Sequence, residues 1–484
     1  MTVTDDLRKR TIRAGMTKMT AQAANFLIRL GSMMVLARLL DPKDYGLIAM
    51  VTTVTAVLGL FRDFGLSSAS VQRATITREQ TSTLFWINVL LGGILTIVAL
   101  ALAPAVSAFY HEPRLLWIMN VLAIGFLFNG AGVQHSAMLQ REMRFTTLVS
   151  IDLFSLVVGI AIAIGMAMAG YEYWALVASA VSGPVTSTLA LWLATEWVPS
   201  SPQRGIGIRA MMRFGGAVTL NGLIWTVATG FDKILLGRYW GPDAIGIYYN
   251  ASQLNRIPID NLNSALGDVA FSALSRVQHD PERFKRYFLK GYTLIVALTL
   301  PITIVCGVFA DDVIAILLGS KWTGAADIFR ILAPTILAFA IANPLGWLLN
   351  ALGLVERGLK IAVVFAPLLI AGYVVGLPYG PTGVALAYST VMTLGLVPLV
   401  LWAVHGTIID VGDIVRTLIR PLISSMVAVG VAMAIHALCG SGLSLLPRFI
   451  LEVFAFGATY LVMLLFVAGQ KSFYLEILRG ARDD

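Results

Sequence analysis

The chain is 484 residues long, 57% hydrophobic and only 13% charged, with a mean hydropathy of +0.80. A soluble domain carries about 45–50% apolar and about 25% charged residues, so a water-soluble fold is excluded. The net charge of +8 does not mark a nucleic-acid binder: the basic residues are scattered singly between apolar runs and form no patch with interleaved aromatics.

Arg8, Lys9, Arg10 and Arg13 precede an apolar stretch that reaches Leu40. That is too long for the apolar core of a signal peptide, so the stretch is expected to stay uncleaved as the first span. A helix crosses the hydrocarbon with about 20 residues. By that measure, runs begin near Ala14, Gly46, Leu84, Leu115, Leu148 and Tyr173, then near Met211, Ile245, Leu289, Ile328, Leu359 and Gly383. Two more begin near Leu418 and Pro447. The expected fold class is therefore an all-α integral membrane protein of about fourteen transmembrane helices. Cys306 and Cys439 lie in apolar runs without metal-ligand or CxxC spacing and read as small core residues.

The distribution of Lys and Arg tests the count, because cytoplasmic loops are enriched in them. With the N-terminus inside, only Lys43, Arg114, Arg238, Lys321 and Arg448 of the 35 fall in outward loops. Lys18, Arg29, Arg38, Lys233, Arg256 and Arg330 lie within or at the edges of helices, and all the others fall in inward segments. Both termini are expected in the cytoplasm.

A motif recurs. Arg38-Leu-Leu-Asp-Pro42-Lys-Asp-Tyr-Gly46 follows the first span, and Arg238-Tyr-Trp-Gly-Pro242-Asp-Ala-Ile-Gly246 follows the seventh, displaced by 200 residues. Gly170, Ala175, Leu176 and Ser179 pair with Gly380, Ala385, Leu386 and Ser389 at a displacement of 210. Taken singly, such Pro and Gly residues only mark tight turns after helix ends. Two pairings at nearly one displacement point to a duplicated six-helix unit, and because six is even both copies run the same way through the membrane, as in transporters with parallel repeats. The expected organisation is a six-helix lobe over residues 1–200, a second over 201–404, and two additional helices with a tail over 405–484.

Polar residues form stripes on three spans. The first carries Lys18, Gln22, Asn25, Arg29 and Ser32 at alternating spacings of four and three, which is one helical face. The eighth carries Gln253, Arg256, Asp260, Asn263 and Gly267 on a similar spacing, and the seventh supplies Asn221, Thr229, Asp232 and Lys233. A charge near a helix centre costs about 2.5–3.5 kcal/mol, so Arg29, Arg256 and Asp260 are expected to face a wet interior rather than lipid. Pairing across or along helices, for instance Arg256 with Asp260, is the plainer alternative. Asp232 and Lys233, adjacent on a helix, are not expected to face each other. Pro258 is expected to kink or unwind the eighth span beside Arg256 and Asp260. Arg38, Lys233 and Arg330 sit near outer helix ends, where snorkelling explains them equally well. No metal-ligand spacing of the histidines and no nucleotide-binding glycine loop occurs in the sequence, so no enzymatic activity, metal or bound cofactor is expected.

Ala37-Arg38-Leu39-Leu40-Asp41-Pro42-Lys43-Asp44-Tyr45-Gly46 resembles the signature of the polysaccharide transporter family in the multidrug/oligosaccharidyl-lipid/polysaccharide flippase superfamily. Phe61-Arg62-Asp63-Phe64-Gly65-Leu66 and Leu139-Gln140-Arg141-Glu142-Met143-Arg144-Phe145 resemble its colanic-acid-exporter-like branch of Wzx proteins. The similarity covers essentially the whole chain, including the two helices after the twelve-helix core. It implies a V-shaped bundle of two lobes in the bacterial inner membrane that moves an undecaprenyl-diphosphate-linked oligosaccharide outward by alternating access. It also implies membrane lipids and the polymerase and export machinery of the pathway as partners. The diphosphate is anionic, which suits cations in a water-filled cavity. Arg29, Arg256, Asn25, Gln22, Asn221, Gln253, Asn263 and Lys233 are the substrate-binding candidates. Coupling to a proton or sodium gradient is common in the superfamily, with Asp260 and Asp232 as candidates here.

Three rivals stand beside this reading. A drug or cation antiporter of the same superfamily would show intramembrane carboxylates dominating over arginines. A membrane glycosyltransferase or ligase would need a sizeable external loop, whereas the outward loops are short. A structural scaffold leaves the intramembrane charges without a purpose.

Overall fold

A computed structural model of the protein describes residues 22–62, 77–203, 209–277, 280–439, 442–472 and 474. Lys18, the N-terminal Arg8, Lys9, Arg10 and Arg13, and Asp63-Phe64-Gly65-Leu66 lie outside the described residues, as do the side chains of Asn221 and Asn263 and the surroundings of Gly267. There is no strand among the described residues. Nine helices among them are long and apolar enough to cross a membrane. Large apolar side chains such as Leu193, Phe454 and Leu438 stand more than 70% exposed on these helices, as a lipid-facing surface requires.

Contacts divide the chain into two compact units, Met1–Tyr249 and Asn250–Asp484. In the first, α1 covers 22–39, followed by α2 (Pro42–Gly59), α3 (Arg78–Tyr110), α4 (Arg114–Arg141), α5 (Phe145–Met168) and α6 (Trp174–Thr195). Helix α7 (Arg209–Arg276) begins in the first unit and continues past the boundary; its regular dihedrals fail at Gly241, with φ 79° and ψ −176°. The backbone keeps helical dihedrals through Pro258, so the unwinding expected there does not occur, and the break falls at the glycine that tolerates positive φ.

Small residues set the packing of the first unit. A Cβ on Gly92 would lie 2.6 Å from the Phe126 carbonyl and one on Gly130 2.5 Å from that of Asn88, so α3 and α4 meet backbone to backbone. Helix α6 joins them through side-chain donors: Thr188 Oγ1 donates to the Phe128 carbonyl at 2.8 Å and Trp192 Nε1 to that of Ala131 at 2.9 Å. In hydrocarbon such bonds count, because no water competes for the carbonyls.

The second unit holds α8 (Pro281–Val308), α9 (Ala310–Leu317), α10 (Thr323–Leu332), α11 (Pro334–Ala351), α12 (Val355–Gly376), α13 (Gly380–Leu394), α14 (Leu396–Val404), α15 (Val411–Cys439) and α16 (Leu445–Val462). Its core packs Phe284, Phe288, Tyr292 and Leu300 of α8 against Leu345, Leu348 and Leu349 of α11. A separate apolar cluster joins Ala297 and Phe309 to Ala428 and Ala432 of α15 and to Phe456 and Tyr460 of α16. The Tyr460 hydroxyl donates to the Ala297 carbonyl at 2.6 Å, fastening α16 to α8. Lys285 pairs with Asp413 at 2.6 Å, and Arg357 donates to the His405 carbonyl at 2.6 Å.

Candidate functional site

The two copies of the Arg-to-Gly motif meet in the first unit. Asp41 is extended at the start of α2, its N–H bonded to the Asp44 carboxylate at 3.0 Å, with Pro42 in the first turn where a missing N–H does no harm. The equivalent break in α7 is Gly241, and Pro242 follows it as Pro42 follows Asp41. A Cβ on Gly46 would lie 1.8 Å from the Pro242 carbonyl oxygen, and one on Gly246 would lie 1.8 Å from that of Pro42. No side chain of any size fits at either position. The reciprocity is the pattern that a two-fold relation between the motif copies produces.

Beside this junction lies a polar group inside apolar packing. A Cβ on Gly237 would meet Tyr110 at 2.7 Å and Met50 at 3.1 Å, so α7 also runs tightly past α2 and α3. On the same segment Asp232 is buried and accepts a hydrogen bond from the Tyr248 hydroxyl at 2.8 Å. Lys233 Nζ lies 3.2 Å from Asp232 Oδ1. The expectation that these neighbours cannot face each other is corrected here: the four-carbon lysine stem folds back along the helix and brings its ammonium to the adjacent carboxylate. Tyr248 is a partner that sequence spacing did not bring out, since it sits 16 residues on and across the Gly241 break.

The α1 stripe is formed as expected over its described part. Arg29 Nε donates to Asn25 Oδ1 at 2.6 Å, and Ser32 Oγ donates to the Arg29 carbonyl at 2.8 Å. Arg29 is exposed, with Asn25 and Gln22 partly so. The amide of Asn25 orients the guanidinium through one nitrogen and leaves the rest of the donor fork outward.

The second unit carries the other stripe, on the far arm of α7. Gln253 and Arg256 are exposed, and Arg256 Nε lies 3.9 Å from Asp260 Oδ2, with side chains 54% and 66% exposed. This is a loose pair, of the kind worth about 0–1 kcal/mol. The opposite face of the same arm is structural: Asn255 is buried and donates from Nδ2 to Thr335 Oγ1 of α11 at 2.8 Å. The site candidates thus fall into three local groups, Asn25 with Arg29, Asp232 with Lys233 and Tyr248, and Arg256 with Asp260. Arg330 is held by Asp311 and by Asp327 at 2.9 Å.

Residues 35–327 match the family model described as polysaccharide biosynthesis protein. The chain is 30% identical over 60% of its length to the teichuronic acid biosynthesis protein TuaB of Bacillus subtilis (strain 168), of which the match spans 61%. It is 25% identical over 81% of its length to the lipopolysaccharide biosynthesis protein WzxC of Escherichia coli (strain K12), spanning 80% of that protein. A solved structure of the lipid II flippase MurJ in an inward closed conformation is similar in fold, with a TM-score of 0.75 at 14% identity, covering 96% of this chain and 100% of that one.

Proposed function

From the premise that this chain belongs to the polysaccharide biosynthesis protein family, in the polysaccharide transporter branch of the flippase superfamily, we propose that it flips a lipid-linked oligosaccharide across the bacterial inner membrane. The carrier in this reading is undecaprenyl diphosphate, and the product serves exopolysaccharide, capsule or lipopolysaccharide synthesis. The reading includes fourteen spans, both termini in the cytoplasm, and two six-helix repeats followed by two additional helices.

The observation that carries it is the pair of exposed arginines on the polar faces of α1 and α7, Arg29 and Arg256. A cation left facing hydrocarbon would be expensive. One facing water and a diphosphate has a partner, and a guanidinium offers a planar fork of donors matching phosphate oxygens. Asn25, Gln22, Gln253, Asn221 and Asn263 supply neutral hydrogen-bonding groups for sugar hydroxyls or phosphate. A drug exporter would ask for carboxylates that dominate over arginines, whereas the stripe candidates lean cationic and Asp232 already holds Lys233 at 3.2 Å. Gradient coupling by a proton or sodium ion belongs to the proposal, with Asp260 as the more exposed of the two carboxylates.

The test is complementation of polysaccharide export in a flippase-null strain, with membrane levels of each variant checked. Arg256→Lys keeps the charge and loses the fork, so it retains partial export, whereas Arg256→Gln loses nearly all. If Arg256 served only to pair with Asp260, joining Arg256→Gln to Asp260→Asn would restore export, because no uncompensated charge is left. Full export by Arg256→Gln, or rescue by the double variant, removes Arg256 from the substrate site.

A further inference from the structure

The helices that follow the twelve-helix core carry a buried polar cluster that neither the stripes nor the family similarity accounts for. Glu452, in the second turn of α16, is fully buried at 0% exposure. Its Oε1 lies 2.9 Å from His436 Nδ1 near the end of α15 and 3.8 Å from Arg448 Nε one turn back on α16. Arg448 reaches across to α9, where its terminal nitrogen lies 2.6 Å from Asp312 Oδ1. Glu452 Oε2 and Arg448 Nε are buried and have no hydrogen-bond partner among the described residues.

The charge count is what makes the cluster informative. Two carboxylates, Asp312 and Glu452, face one guanidinium, so with a neutral imidazole the cluster holds one negative charge in excess. With His436 protonated it is balanced. An ionised Glu452 can only accept, which puts the hydrogen of that bond on His436 Nδ1 and leaves Nε2 as the atom to take up or give back a proton. The imidazole is 43% exposed, while Glu452 behind it is sealed, so the histidine is the port and the glutamate the buried counter-charge. The other ionisable groups on the surrounding elements do not alter the count. Asp311 on α9 is taken by Arg330, which also holds Asp327 on α10. Cys306 on α8 is a half-buried thiol, and Tyr460 on α16 is a phenol whose hydroxyl donates to the Ala297 carbonyl. Lys285, Lys290, Asp413, Arg416 and Arg420 lie in the opposite halves of α8 and α15.

We propose that His436 and Glu452 form a proton-binding site on the side of the membrane that the Lys and Arg distribution assigns to the outside. Proton uptake at His436 Nε2 converts a negatively charged cluster into two ion pairs, Arg448 with Asp312 and His436 with Glu452, and tightens the hold of α15 and α16 on α9. An imidazole is the side chain that changes charge across the physiological range, which suits it to exchange protons with the outer aqueous phase. The site rests on residues of the second unit alone and not on the substrate reading.

The experiment is thermal unfolding of the full chain in lipid nanodiscs from about pH 5 to about pH 8, which spans the range in which an imidazole titrates. Glu452→Gln removes the excess charge, so the wild type is expected to be more stable than this variant at the acidic end and to lose that advantage as pH rises. His436→Gln removes the titrating group, and His436→Lys fixes its charge; both are expected to vary less with pH than the wild type. Parallel curves for the wild type and Glu452→Gln, or an unchanged pH slope in His436→Gln, overturn the site. Should His436→Gln fail to fold, His436→Lys decides: a flattened slope supports the site and a wild-type slope overturns it.

Discussion

Among the described glycines, Gly46 and Gly246 have the least freedom to change. Each faces the other motif's proline carbonyl at a distance no Cβ can occupy, so Gly46→Ala and Gly246→Ala force the backbones apart. Overpacking of this kind costs about 1–3 kcal/mol. The two are in one contact, so the double variant is expected to lose clearly less than the sum of the singles. Gly59→Ala and Gly93→Ala, whose Cβ would meet nothing within 4 Å, serve as controls without loss. Thermal unfolding of the purified variants measures all of these, and additive losses would show that the two glycines do not share a contact. At this scale the sequence was informative where partners are close along one helix. Asn25 with Arg29 and Arg256 with Asp260 sit four residues apart and were visible as faces. His436 with Glu452 and Asp232 with Tyr248 were not, because a spacing rule carries no information across a chain reversal or a helix break. The Asp232–Lys233 pair was missed for another reason: the rule that adjacent helical residues diverge holds for short side chains and fails for a long flexible one.

The lengths of the apolar runs pointed to an all-helical membrane fold, and among the described residues there is no strand and nine helices are long and apolar enough to cross a membrane. What hydropathy leaves undetermined is where a helix breaks inside an apolar run. The seventh and eighth runs form one α7 interrupted at Gly241, and the run starting near Ile328 begins within α10, itself preceded by a turn at Gly319 with φ 95°. Pro258, the residue more often suspected of breaking a helix, stays within it, since proline removes one donor while a positive φ ends the helix outright. The parity of the span count has a direct consequence. In the proposed topology fourteen spans would place the C-terminus on the same side as the N-terminus, and the Lys and Arg distribution would put that side in the cytoplasm. A reporter active only outside the inner membrane, fused after Asp484, is expected to be silent, and the same reporter fused after Gly442 active. The reverse pattern would show that the count or the orientation is wrong.

Across the whole molecule, family and fold agree while the substrate is left to chemistry. The family model covers residues 35–327, the MurJ fold covers nearly the entire chain, and neither names the sugar. In the proposed function a diphosphate would ask for cations to meet it, and Arg29 on α1 and Arg256 on α7 are the residues proposed to supply them. The most direct measurement is made on the purified protein in liposomes loaded with an undecaprenyl-diphosphate-linked oligosaccharide. A membrane-impermeant glycosidase added outside cuts only the oligosaccharide exposed on the outer leaflet. With the wild type, the inner-leaflet pool is expected to become accessible over time, and with Arg256→Gln it is expected to stay protected as in protein-free liposomes. An inner-leaflet pool that stays protected in the presence of folded wild-type protein, under an imposed proton or sodium gradient as well as without one, would contradict the account.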